Sequence, residues 1–162
     1  MIATARKDDR TFAERREIAF HEAGHAVTAL ALGCRLFSAT ILIGEHNWGH
    51  VTCRPPLDVT RRIALLVAGH VAEVLLNQQR RPINNAEDDM VKVSDALLAI
   101  YPTGSETTPR EFIEGALLAV KLVKLHRKAI RRIANRLLAR NTLDGAAVCR
   151  LMQQGGRYAT HR

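Results

Sequence analysis

The feature that most constrains this chain is His21-Glu22-Ala23-Gly24-His25, set inside an apolar helical pattern. From Glu14 to Leu32, acidic Glu14 and Glu17 open the segment, Ile18, Phe20, Val27 and Leu30 recur at helical spacing, and Gly33 follows its end, which predicts a helix. Residues four apart share one helix face, so the imidazoles of His21 and His25 can converge on one cation, with Glu22 between them in angle. This is the His-Glu-x-x-His spacing at which two imidazoles meet a zinc ion at ~2.0–2.1 Å. The carboxylate between them can reach a bound water without being a ligand, take its proton and deliver it to a leaving amine. Gly24 costs ~1 kcal/mol in a helix interior, and such local conflict is expected at functional sites. The plain alternative is three surface polar residues on a core helix.

A catalytic zinc needs a third protein ligand and an open fourth position, for which the sequence offers Glu73, Glu87, Asp88, Asp89, His46, His50 and His70. The apolar stripe Val93, Ala96, Leu97, Ile100, extended back one turn, lands on Asp89, whereas Asp88 aligns with Lys92 and Asp95 on the polar side. An inward carboxylate there suits a metal, and near a helix N-terminus it equally suits the macrodipole. Glu73, on a largely apolar helix one turn from His70, fits a carboxylate that accepts the outer N–H of His21 or His25, with third ligand as its other role. His46 and His50 flank Trp48 in a polar loop and read as solvent-facing.

Around the motif the pattern is mainly helical with a small sheet or hairpin. Ser38 to Ile43 and His50 to Arg54 read as short strands separated by Gly44 to Gly49 and halted by Pro55 and Pro56. Thr60 to Asn77 reads as a helix, Asn85 to Ile100 as another, and Arg110 to Arg140 as a long, interrupted one. Thr142 and Asp144 open a short helix to Gln154. At 162 residues, with 47% hydrophobic and 4% aromatic content, this suits one aliphatic-cored domain over 14–154, a segment 1–13 before it and a flexible tail 155–162 after it. The three cysteines lack a Cys-x-x-Cys pair, and no run of ~18 apolar residues occurs, so free thiols, a cytoplasmic setting and no transmembrane segment are expected. The formal charge of +8 raises nucleic acid or an acidic protein as partners. The basic run from Lys121 to Arg140 spreads around a helix without stacking aromatics, which reads as a solvated face and argues against nucleic acid.

Phe20-His21-Glu22-Ala23-Gly24-His25-Ala26-Val27 resembles the zinc helix of FtsH-type ATP-dependent metalloproteases. Ser38 to Ile43 with Gly49-His50-Val51-Thr52 resembles that family's strand pair, and Ala68-Gly69-His70-Val71-Ala72-Glu73 its Gly-Gly-Arg-x-Ala-Glu helix. Asn85 to Ser94 is similar to its third-ligand segment, and Leu137 to Gly145 to its terminal Leu-Leu and Thr-Leu signature. The resemblance runs in order from about Glu14 to Met152. It implies a zincin-like helical peptidase module with Zn²⁺ on His21, His25 and Asp89, Glu22 as general base, and an unfolded or flexible polypeptide as substrate. It also implies a substrate-pairing edge strand at Thr40, Ile41, Leu42 and Ile43.

The chain departs from that family in three places. It contains no Gly-x-x-x-x-Gly-Lys-Ser/Thr loop, so a separate ATPase or adaptor partner is expected; His70 stands for the family Arg; and Tyr101 to Arg110 is a shorter connector, which bears on homo-oligomeric ring assembly. Two other classes stay open: a non-catalytic basic binding module on the same fold, and a regulatory protease specific for one partner.

Overall fold

The computed structural model describes residues 8–43, 49–56, 58–77 and 109–154. Helix α1, Phe12–Ala31, begins at a reciprocal cap. The Thr11 side chain accepts from the Glu14 N–H at 3.3 Å, and the Glu14 carboxylate accepts from the Thr11 N–H at 2.6 Å. Such a cap is worth ~1 kcal/mol. Helix α2, Val59–Leu76, starts at a one-way cap, with Asp58 accepting from the Arg61 N–H at 2.9 Å. The long basic helical stretch divides into α3, Pro109–Leu125, and α4, Arg127–Arg140, at a turn centred on His126. Helix α5, Gly145–Gln153, follows directly on a short strand.

Three strands form one antiparallel sheet: β1, Leu36–Thr40; β2, His50–Cys53; and β3, Thr142–Asp144, in the order β2-β1-β3. The strand expected at an edge is therefore the middle one. Thr40 faces His50 on one side and Thr142 on the other, and the Ile41 N–H already donates to the Asn141 carbonyl at 2.8 Å. The Leu42 N–H donates to Thr40 Oγ1. Thr40 and Ile41 thus have no free ladder for a substrate, and Leu42 and Ile43 lie past the strand. The cause is β3, only three residues long, whose Asp144 also caps α5 by accepting from the Ala147 N–H.

The core is aliphatic, as expected. Helix α1 lies at its centre, packed against α2 and α4, with Ala19, Phe20, Ala23, Ala26 and Val27 buried. Small residues let α1 and α2 come close: a Cβ on Gly24 would lie 2.6 Å from the Ala72 Cβ and 2.7 Å from the Ala68 carbonyl oxygen. The helix-interior glycine is thus explained by packing, and its propensity cost is offset by the close approach it permits.

Candidate metal centre

That close crossing sets the face of α1 bearing His21, Glu22 and His25 against Leu65, Gly69, His70 and Glu73 of α2. The two α1 rings stand edge to face with centroids 4.6 Å apart, and their Nε2 atoms are 2.9 Å apart. Each Nδ1 is engaged on the far side. His25 Nδ1 is 2.7 Å from the Leu65 carbonyl oxygen, which can only accept, so this nitrogen carries the hydrogen. His21 Nδ1 is 2.5 Å from Glu73 Oε1, where the ring donates to the carboxylate.

With both Nδ1 atoms protonated, neutral imidazoles turn two Nε2 lone pairs toward each other, an arrangement that requires a cation between them. In the metal-free protein a proton on His21 can serve. Burial opposes that imidazolium, but the hydrogen bond and charge of Glu73, with the charge of Glu22, outweigh it and raise the His21 pKa. His25 moves the other way: burial, reinforced by His21, lowers it to about 4, so its Nε2 stays a free acceptor at neutral pH. A divalent metal fits the same gap. Two Zn–N bonds of ~2.05 Å at a tetrahedral angle separate the nitrogens by about 3.3 Å, a few tenths wider than observed. Gly69 leaves the space beside them open, since a Cβ there would lie 2.5 Å from His25 Nε2 and 2.6 Å from His21 Nε2.

Glu22 is 5% exposed, and its pKa is raised to about 7, chiefly by burial and further by Glu73, against the opposing charge of His21. A carboxyl group poised there can hold or release a proton near neutrality. His21, Glu22 and His25 share a cleft of about 300 Å³ with Gly49, with His50, Val51 and Cys53 of β2, and with Leu65 and Leu66 of α2.

Glu73 lies behind His21, on the Nδ1 side away from the Nε2 pair. His70 is nearby, its Nδ1 3.4 Å from His21 Nδ1 and its pKa lowered by burial and by His21. His21, His70 and Glu73 offer ligand atoms within 4.8 Å of one another, but a metal there would have to displace the hydrogen that His21 Nδ1 shares with Glu73. The Nε2 pair is the better-prepared position. Asp89, with Glu87, Asp88 and His46, lies outside the described residues. Sequence reasoning missed the Leu65 carbonyl, which no side-chain pattern reports; His50, read as solvent-facing, is exposed and lines the cleft from β2.

No protein-family model matches the chain. The ATP-dependent zinc metalloprotease FtsH of Oenococcus oeni is 27% identical to it over an alignment 197 residues long, gaps included, covering 93% of this chain and 28% of that protein. The likeness is distant, and the chain spans little more than a quarter of that relative's length. Among the described residues no helix is long and apolar enough to cross a membrane.

Proposed function

We propose that this chain is a zinc-dependent endopeptidase in which His21 and His25 hold the metal through Nε2 and Glu22 is the general base. The observation that carries the reading is the convergence of the two Nε2 atoms while a carbonyl and a carboxylate engage both Nδ1 atoms. Metal-bound histidines characteristically donate their other N–H in this way, which fixes tautomer and ring orientation. Asp89 supplies the third ligand in this proposal, and Glu73 holds His21 in place. The similarity to an FtsH protein favours zinc over other divalent metals.

When bound, zinc supplies Lewis acidity, lowering the pKa of a water molecule toward ~7 and polarising the scissile carbonyl. Glu22 accepts the proton of the attacking water and returns it to the departing amine. Among the described residues the outer edge of β2 has no neighbouring strand, and it borders the cleft, so an extended polypeptide can pair with the backbone around Val51 and pass before Glu22. Backbone pairing of this kind selects flexible or unfolded segments, because a folded strand has its ladder occupied.

The test is metal analysis together with cleavage of casein. The expected result is about one zinc per chain and proteolysis that Glu22→Gln lowers by at least about a hundredfold while zinc content is retained. Undiminished cleavage by the metal-loaded Gln variant would remove Glu22 from the mechanism.

A further inference from the structure

A second cleft, about 570 Å³, lies between α4 and α5 and shares no lining residue with the metal centre. Ala139, Leu143, Ala147 and Leu151 give it an apolar floor. Arg132 and Arg136 of α4 and Arg150 of α5 surround that floor, with the amides of Asn135 and Gln154, and no carboxylate lines it among the described residues. The basic run read from sequence as a solvated face therefore divides in two. Lys128 and Arg131 are exposed and outside the cleft, whereas Arg132 and Arg136 turn toward α5. Arg132 is held there, its Nε donating to the Leu151 carbonyl at 3.1 Å. Arg136 and Arg150 are exposed, and neither has an ion pair or side-chain hydrogen bond among the described residues.

Three guanidinium groups around one concavity repel one another and concentrate positive potential over an apolar floor. Their planar forks match carboxylates, two N–H groups to two oxygens. The floor needs an aliphatic group to cover it. Nucleic acid fits less well, because among the described residues the lining has no aromatic side chain for base stacking and the basic groups ring a hollow rather than track a backbone. The geometry points to a binding site for an acidic peptide segment in which carboxylates flank an aliphatic side chain. The carboxylates pair with Arg136 and Arg150, and the aliphatic group sits on Leu143 and Leu151. This site would let a partner or substrate with an acidic stretch dock away from the metal centre, and it stands whether or not the chain cleaves anything.

The experiment is fluorescence anisotropy on the full chain with a short labelled peptide in which Glu residues flank Leu. Micromolar, salt-sensitive binding is expected. The Arg136→Gln/Arg150→Gln double variant should weaken it at least about tenfold, while Lys128→Gln/Arg131→Gln, which removes the same charge outside the cleft, changes it less than about threefold. Changing the peptide Leu to Ser should weaken binding several-fold. All four arginine and lysine positions are exposed, so thermal unfolding of both double variants should match the parent. Equal weakening by the two double variants would reduce the effect to diffuse charge and overturn the site. Absence of binding, or displacement of the peptide by an equally charged single-stranded oligonucleotide at lower concentration, would overturn the assignment to an acidic peptide.

Discussion

Gly69 carries no chemical group, yet replacing it with alanine should disable the metal centre. The added Cβ would stand 2.5 Å from His25 Nε2 and 2.6 Å from both Nε2 and Cδ2 of His21. Ordinary contact needs about 3.4 Å, so the rings must retreat by roughly 0.8 Å, whereas zinc–ligand distances tolerate about 0.2 Å. Disturbing the outer hydrogen bonds of metal-binding histidines already costs ~10–100-fold in affinity, and displacing both ligand atoms should cost at least a hundredfold, about 2.7 kcal/mol. Global stability should change far less. Alanine gains ~1 kcal/mol of helix propensity over glycine, which partly offsets ~1–3 kcal/mol of overpacking. Zinc affinity measured by competition with a chelator, beside thermal unfolding of the metal-free protein, separates the two effects. An alanine variant that keeps zinc affinity within about threefold of the parent would refute the placement of the metal between the two Nε2 atoms.

Glu73→Gln keeps a hydrogen-bond acceptor beside His21 but removes the negative charge that raises its pKa. Zinc affinity should fall ~10–100-fold, and the His21 pKa of the metal-free protein, followed by NMR, should drop; an unchanged His21 titration would refute the brace. Asp8 has its pKa lowered to about 2, first by its hydrogen bond from Arg10, which also donates to the Ile41 carbonyl. Because the folded pKa lies below the unfolded value of 3.8, this contribution to stability is complete above about pH 4 and disappears as pH falls through about 2. Urea unfolding should show Asp8→Asn destabilised at pH 6 and close to the parent near pH 2, with a smaller difference in high salt because Asp8 is partly exposed.

Much of the centre was legible because its spacing is local. His21, Glu22 and His25 lie on one helix, and the helical period alone puts their side chains together. Glu73 could be read as a brace because a carboxylate on an apolar helix needs a partner, although nothing in the sequence chose His21 over His25 for it. What the sequence could not express is pairing across distance. β1 has the composition of any half-buried strand, and whether it is an edge depends on Thr142 to Asp144, about a hundred residues later, too short a run to read as a strand. His50, read as solvent-facing, is exposed, and its register opposite Thr40 also brings it to the cleft. Gly24 was legible as an anomaly, but its cause was the neighbouring helix.

The groups that would grip the ion and the groups that aim them sit on different helices: His21 and His25 belong to α1, the Leu65 carbonyl and Glu73 to α2. A zinc gripped by α1 would therefore depend on α2 for the aim of both rings, and a displacement of one helix along the other would weaken its hold with every ligand still in the chain.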